Sequence, residues 1–301
     1  MSAGPAASAG PAPRAAPTAH AAPAASAAPA ASAVRTPAPF GRRAVAVTAR
    51  ERHGAYTLLR CEDAGGPRPR AGQFYMLSAA ERWGGGDGER PFLPRAFSVL
   101  RAPAEDRRLD FLLEDVGPGT RRLDELRPGD RLHVVGPLGN GFEPPRERRR
   151  ALLVGGGVGI APLAIWQDQL EDSTRPLLGF RDRARAAAAG LVSSARVATD
   201  DGSFGHHGVV TDLMRQEIAG RESEIEVYAC GPPAMLEAVR AVCAELAIPA
   251  QLALEAGMAC GFGACFGCVV PTRAGLVRLC LDGPVLDADR LESALLPGTG
   301  H

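Results

Sequence analysis

The sequence predicts a mixed β and α/β fold in three successive parts: a small antiparallel barrel or sandwich, a doubly wound α/β domain, and a small irregular segment at the carboxyl end. Three observations predict it. Short runs rich in β-formers, punctuated by Gly and Pro, fill the stretch from Arg43 to Val135. After Arg150, apolar strand-like runs alternate with helix-like ones, the pattern of a parallel sheet covered on both faces. Beyond Glu255 the periodicity vanishes and cysteines crowd together. The 301 residues suffice for two or three domains with cores of their own. The expected boundaries are 1–40, 41–147, 148–254 and 255–301.

Residues 1–40 are Ala, Pro, Ser and Gly almost without interruption. So few large apolar groups cannot offset the entropy of ordering the chain, and a disordered tail is expected; an extended arm that docks on a partner is the alternative. Strands are expected at 44–48, 56–61, 73–77, 96–100, 109–116 and 131–135, with one short helix near 120–126. Pro128-Gly129-Asp130 makes a tight turn into the last of these strands, and the basic, proline-bearing stretch 143–150 reads as a linker. Next come a strand at 151–154, a helix at 160–170, a strand at 176–179 and a helix at 181–189. A strand at 195–198, a helix at 211–218, a strand at 225–229, a helix at 234–246 and a strand at 250–254 continue the series. Ligands of such sheets sit beyond the carboxyl ends of the strands, where the glycine-rich segments of this chain fall. The last part, without periodicity, has to be held by something other than an apolar core.

Lys+Arg and Asp+Glu both number 34, so no global field draws the chain to a polynucleotide or an anionic membrane. Every basic residue is Arg, a bias of composition rather than a phosphate-binding signal. No run reaches the ~18–20 apolar residues of a membrane span. The first forty residues lack the apolar core of a secretory signal. A soluble cytoplasmic protein is expected, and seven cysteines in such a chain point to metal or redox chemistry before disulfides.

Cys61, Cys230 and Cys243 are scattered, whereas Cys260, Cys265, Cys268 and Cys280 fall together. The first three of these have the C-x4-C-x2-C spacing of plant-type [2Fe–2S] loops, and four thiolates are the count that two irons require. Gly257, Gly261, Gly263 and Gly267 permit the torsions that turn backbone N–H groups toward the sulfides. A structural zinc site is the alternative, but zinc knuckles use paired short spacings and only one pair here has that form. Cys265 and Cys268 lie too close for a comfortable disulfide.

Pro94-Arg95-Ala96-Phe97-Ser98 opens an expected strand. Arg95 there can hold a pyrophosphate through two parallel hydrogen bonds, and Ser98 can reach the edge of a bound ring. Val116-Gly117-Pro118-Gly119-Thr120 opens the short helix, whose N–H groups make an anion site to which Thr120 adds a hydroxyl. Gly155-Gly156-Gly157-Val158-Gly159 follows a strand and opens a helix, allowing a dinucleotide to approach the backbone. Cys230-Gly231-Pro232-Pro233 ends another strand, and Thr199-Asp200-Asp201 a third. Asp200 and Asp201 would repel a 2′-phosphate and could bond a free ribose hydroxyl, which favours NAD over NADP. Each motif alone also fits a surface ion pair, a capped turn or a strand-to-helix turn.

Their order, with Gly136-Pro137-Leu138-Gly139-Asn140-Gly141-Phe142 between them, makes the chain resemble the ferredoxin–NADP reductase superfamily over roughly 42–254. The resemblance implies an antiparallel FAD-binding β-barrel and a doubly wound nicotinamide-binding α/β domain, with the two rings meeting at the junction. It implies that Arg95, Ala96, Phe97, Ser98, Gly119 and Thr120 hold FAD, with Leu112, Leu113 and Glu114 lining its adenosine or ribityl part. It places the nicotinamide cofactor at Gly155, Gly156, Gly157, Gly159, Thr199, Asp200, Cys230, Gly231 and Pro232. His206 and His207 are expected to be solvated loop residues, because hydride transfer between rings requires no proton relay.

With its cysteine loop, preceded by Glu255-Ala256-Gly257-Met258 and closed by Cys280-Leu281-Asp282-Gly283-Pro284-Val285, the chain resembles the dihydroorotate dehydrogenase B electron-transfer subunits over about 42–292. It departs from the plant ferredoxin pattern in the short gap before Cys280, and its amino-terminal tail is long. The resemblance implies a catalytic partner subunit that holds FMN and oxidises dihydroorotate, assembled as a heterotetramer of two plus two. Electrons would then pass through the [2Fe–2S] cluster and FAD to NAD+. No catalytic side chain is expected here, since nothing in the chain resembles a dihydroorotate pocket. The alternatives are the related subunit of a sulfhydrogenase or of an NADPH–ferredoxin oxidoreductase, and a zinc-stapled adaptor on a silent reductase fold.

Overall fold

A long strand, β1 (Arg43–His53), returns through the turn at Gly54 and Ala55 as β2 (Tyr56–Glu62). Gly54 takes φ +62° there, a conformation that suits glycine at a tight reversal. With β3 (Phe74–Ala79), β4 (Arg95–Arg101), β5 (Arg108–Glu114) and β6 (Arg131–Leu138) these strands close a barrel in the order β1-β2-β5-β4-β3-β6. Every neighbour is antiparallel. The closed ring settles the choice between barrel and sandwich. Val45, Val47, Tyr75, Leu77, Val99, Phe111, Leu113, Leu132 and Val134 fill the barrel, as the two-residue period of its strands dictates. A helix of about two turns, α1 (Pro118–Asp124), follows β5. This computed structural model describes residues 1, 4, 41–84, 90–170 and 174–296; apart from Met1 and Gly4, the expected tail at 1–40 lies outside the described residues.

The second sheet begins with β7 (Arg150–Gly156), which leads through a 3-10 turn (Gly157–Gly159) into α2 (Ile160–Gln169). After it come β8 (Leu177–Phe180), α3 (Arg183–Ala186), β9 (Arg196–Thr199), β10 (His206–His207), α4 (Val210–Ile218), β11 (Ile225–Cys230), α5 (Pro233–Glu245) and β12 (Ala250–Ala253). The carboxyl segment adds a hairpin, β13 (Val269–Thr272) and β14 (Gly275–Arg278), the single turn α6 (Leu279–Asp282), and β15 (Val285–Asp287). The sheet order is β10-β9-β8-β7-β11-β12-β15, parallel except for β15. Strand β11 is buried along its whole length, as a central parallel strand covered on both faces must be.

The structure differs from the sequence reading at three places. The helix expected over 181–189 is only α3 followed by a 3-10 turn (Ala187–Leu191), because an alanine run supplies helix propensity but little apolar face to anchor it. His206 and His207 form the edge strand β10, paired with Ala198 and Thr199, and not a free loop. The carboxyl segment does join an apolar core: Leu279, Leu286, Leu291, Ala294 and Leu296 are buried with residues of the large sheet. Such short elements carry too few residues for a period to show.

Barrel and sheet share a buried cluster that includes Tyr56, Leu58, Leu100 and Leu112 from the barrel and Ile160, Ala161, Ala164, Leu178 and Phe180 from the sheet side. An apolar interface of this kind holds the two parts in one geometry. Polar contacts reinforce it. Arg101 donates to the carbonyls of Ala164 and Leu191, each at 2.7 Å, and pairs with Asp168; the Ala55 N–H donates to the Ala184 carbonyl at 3.1 Å.

Candidate functional site

The Arg-x-x-Ser and Gly-Thr motifs meet. A Cβ on Gly119 would lie 2.5 Å from Arg95 Nε and 2.7 Å from its Cζ, so the guanidinium of Arg95 lies against the glycine in the first turn of α1. Arg95 Nη1 donates to the Leu93 carbonyl at 2.6 Å, which orients the fork and leaves its other donors for an anion. Thr120 Oγ1 accepts from the N–H groups of Val116 and Gly117 at 2.9 and 3.0 Å and donates to the Gly117 carbonyl at 3.0 Å. Its hydroxyl thus shapes the turn.

Strand β4 pairs with β5 at Val99–Phe111 and Arg101–Asp110 and at no residue nearer its start. Before Val99 no ladder joins the two strands, so residues 95–98 of β4 and 112–114 of β5 each keep one backbone edge without a strand partner. Backbone donors and acceptors in such a seam need partners, and FAD fits that requirement. Leu112 and Leu113 are each 1% exposed, one in the interdomain core and the other in the barrel. Of these two residues, only the backbone is open to a cofactor in that seam. Glu114 pairs with Arg185 on α3, at 3.1 Å to Nε and 3.0 Å to Nη2, an interdomain bond that no local sequence signal announces. Ala96 and Ser98 stand across from Met76 and Phe74 of β3, while Phe97 stands across from Tyr75 and packs on the barrel core.

The nicotinamide motifs also converge, since Gly155 of β7 pairs with Cys230 of β11. A Cβ on Gly159 would lie 2.5 Å from the carbonyl carbon and oxygen of Cys230, and one on Gly231 would lie 3.0 Å from the Gly156 N. These glycines let two strand ends and the start of α2 pack backbone to backbone at the carboxyl edge of the sheet. Gly157 takes φ +55°. Burial above all, then the negative charge of Glu255, pushes the Cys230 thiol well up, so it packs as a neutral group. Pro232 starts the turn into α5. Thr199 is buried and closes the following loop, its Oγ1 donating to the Phe204 carbonyl at 2.8 Å and accepting from the Phe204 N–H at 3.1 Å. Asp200 is exposed beside it, and the hydroxyl and N–H of Ser203 hold the Asp201 carboxyl below its ordinary range. Both face solvent at the same sheet edge.

The four clustered cysteines form two pairs. Burial alone would raise the Cys260 thiol, but the N–H groups of Phe262, Cys265 and Ala264, with the Cys265 thiol, outweigh it and bring Cys260 down to about 7. Burial, then the adjacent Cys268 thiol, pushes Cys280 up to about 12. The N–H of Gly267 lies 3.4 Å from Cys265 Sγ and that of Cys280 lies 3.5 Å from Cys268 Sγ. N–H groups turned toward sulfur are what a negatively charged cluster requires. Cys260 with Cys265 and Cys268 with Cys280 could each offer a pair of thiolates to one iron of a two-iron cluster. Among the described residues no three His, Cys, Asp or Glu side chains converge as a single ion would need.

The cluster loop rests on the barrel. Gly261, at φ +81°, would bring a Cβ to 2.5 Å from Met76 Cγ and 2.9 Å from Leu138 Cδ1. Met76 is the cross-strand partner of Ala96 in the Arg-x-x-Ser motif. Phe74, Met76 and Leu138 share one buried cluster with Cys268 and Cys280. Neither Met76 nor Leu138 stood out in the sequence, since an apolar residue in a strand gives no hint of what covers it.

Residues 255–292, which include all four clustered cysteines, match the iron–sulfur cluster binding domain of dihydroorotate dehydrogenase B. Residues 181–241 match an oxidoreductase NAD-binding domain, which takes in Thr199, Asp200 and Cys230 to Pro232. The chain is 33% identical over 246 residues to the dihydroorotate dehydrogenase B (NAD(+)) electron transfer subunit of Clostridium perfringens, covering 79% of this chain and 92% of that one. The chain belongs to this family. The subunit of the same name from Clostridium acetobutylicum is 36% identical over 219 residues, 72% of this chain and 83% of its own. Among solved structures, the NADH-dependent reduced ferredoxin–NADP oxidoreductase described for flavin-based electron bifurcation superposes with a TM-score of 0.69 at 25% identity, covering 83% of this chain and 90% of that one. The ferredoxin reductase of carbazole 1,9a-dioxygenase superposes at 0.61 and 20% identity, over 71% and 68% of the two chains, and shows the same fold.

Proposed function

We propose that this chain is the electron-transfer subunit of an NAD+-linked dihydroorotate dehydrogenase, passing electrons from the FMN of a catalytic partner by way of a [2Fe–2S] cluster and FAD to NAD+ in pyrimidine biosynthesis. The observation that carries the reading is the shared barrel face: Gly261, beside Cys260, packs on Met76, and Met76 pairs with Ala96 of the flavin motif. When bound, FAD supplies the exchange between a hydride pair and single electrons, and the cluster carries single electrons. Arg95, braced on Gly119, holds the pyrophosphate, and the parted edges of β4 and β5 receive the rest of FAD. Gly157, Gly159 and Gly231 admit the dinucleotide to the sheet edge, and Asp200 meets its ribose. Cys260, Cys265, Cys268 and Cys280 hold the irons.

Exposed apolar side chains lie on the cysteine loop and against it: Phe262 at 49%, Phe266 at 62% and Leu281 at 41%. Apolar groups bared together in this way mark a partner surface, and we assign it to the catalytic FMN subunit in a two-plus-two assembly. No helix among the described residues is long and apolar enough to cross a membrane. Cysteines used for an iron–sulfur cluster fit a reducing compartment, and we place the assembly in the cytoplasm. The purified chain should reduce an artificial dye with NADH, yet oxidise dihydroorotate only after the flavoprotein partner is added. Dihydroorotate turnover by the chain alone would overturn this division of labour.

A further inference from the structure

The run from Gly136 to Phe142 lies outside the flavin and nicotinamide motifs, and its contacts point elsewhere. Asn140 is exposed and reaches across to the segment that carries Cys280. Its N–H donates to the Gly283 carbonyl at 2.5 Å, its Nδ2 donates to the Leu281 carbonyl at 3.0 Å, and it forms a β-bridge with Pro284. Helix α6 is a single turn in which the Leu279 carbonyl accepts from the Gly283 N–H at 3.2 Å, while the Leu281 carbonyl lies too near its end for such a partner and takes Asn140 instead. Gly139 packs as closely: a Cβ there would lie 2.6 Å from Pro284 Cδ and 2.7 Å from the Gly283 oxygen. Gln73 Nε2 donates to the Gly139 carbonyl at 2.7 Å, which ties this loop to the start of β3. From the other side, the Leu254 N–H donates to the Pro284 carbonyl at 2.9 Å.

The other three cysteines share one continuous loop, whereas Cys280 arrives on a separate element after the hairpin of β13 and β14. Closing that longer excursion costs chain entropy, and the contacts from 139–140 offset it at the point where the excursion ends. We infer that Asn140 is a positioning residue for the iron–sulfur centre: it clamps the α6 segment to the barrel, fixing Cys280 beside Cys268 and slowing loss of the irons. The inference rests on the four cysteines being the ligands.

The test compares the flavin- and iron-loaded full chain with Asn140→Ala and Asn140→Asp, following the decay of cluster absorbance in excess iron chelator. Asn140→Ala keeps the backbone bond and removes only the amide donor. Loss of one neutral hydrogen bond corresponds to about a five-fold faster decay, the equivalent of ~1 kcal/mol. Asn140→Asp keeps the shape without the donor and should decay at least as fast. Gly139→Ala, which pushes Pro284 away, should accelerate decay independently, while FAD content stays at the wild-type level in all three. Wild-type decay in both Asn140 variants, with two irons per chain present at the start, would overturn the inference and leave the ligand assignment standing. Wild-type chain that binds no iron would overturn the assignment, and the clamp with it.

Discussion

Gly159 has φ −63° and ψ −6°, a conformation that alanine adopts freely, so local preference favours Gly159→Ala by up to ~1 kcal/mol. The surroundings oppose it. The added methyl would meet the Cys230 carbonyl carbon and oxygen at 2.5 Å and the Gly231 Cα at 2.6 Å. All three are backbone atoms of the neighbouring strand end, so no side chain can swing aside. Restoring ordinary contact means moving the turn by roughly 1 Å, and overpacking of this kind costs ~1–3 kcal/mol. The net expectation is a loss of about 1–2 kcal/mol, a fall in melting temperature of roughly 2–8 °C for a unit of this size. Because the displaced turn belongs to the proposed nicotinamide site, the Kd for NADH should also rise about ten-fold or more, the equivalent of ~1.4 kcal/mol. Gly190→Ala is the control, since nothing lies within 4 Å of a Cβ there, and it should be neutral or stabilising by ~0.4–1 kcal/mol. Thermal melting and NADH titration of both variants decide the matter. A Gly159→Ala protein as stable as wild type, with unchanged NADH affinity, would refute the backbone-contact argument.

Arg101→Ala leaves the carbonyls of Ala164 and Leu191 without their donor and should cost ~1–3 kcal/mol in chemical denaturation, with the cluster retained. Glu237 accepts from Arg240, from Ser293 Oγ and from the Ala294 N–H; the Arg240 bond leads in bringing its carboxyl down to about 2. Its folded pKa is depressed, so its stabilisation is complete above the ordinary carboxylate value and is lost as pH falls toward about 2. Glu237→Gln should therefore lower stability at pH 7 by about 1 kcal/mol after allowance for solvent screening and flatten the acid limb of a melting-temperature profile. Cys265→Ser should abolish two-iron loading, whereas Cys243→Ser, on the buried face of α5, should leave iron content unchanged.

The barrel and the alternating domain were legible because their strands are long enough to show a period and are broken by Gly and Pro. The iron–sulfur domain was legible because the cysteine spacing is that of a cluster loop, and residues 255–292 match such a domain. The approach of the cluster loop to the flavin strand was not, since it depends on Met76 and Leu138 of the barrel meeting Gly261, residues far apart in the chain. The packing of Leu112 and Leu113 into two different cores was likewise hidden, because neighbouring apolar residues in one strand give no hint of what covers each face. Strand β15 escaped notice because three residues paired to β12 carry no period, and their place is set by tertiary contacts such as Asn140 with Gly283.

The most direct test of the central claim is an anaerobic NADH titration of the purified chain, read by visible absorbance and by electron paramagnetic resonance on the same sample. Close packing of the cysteine loop on the flavin strand predicts that NADH bleaches the flavin and then brings up the signal of a one-electron-reduced [2Fe–2S] cluster, with about two irons per chain. A flavin that NADH reduces while the cluster signal never develops, or a chain that holds zinc in place of iron, would contradict it.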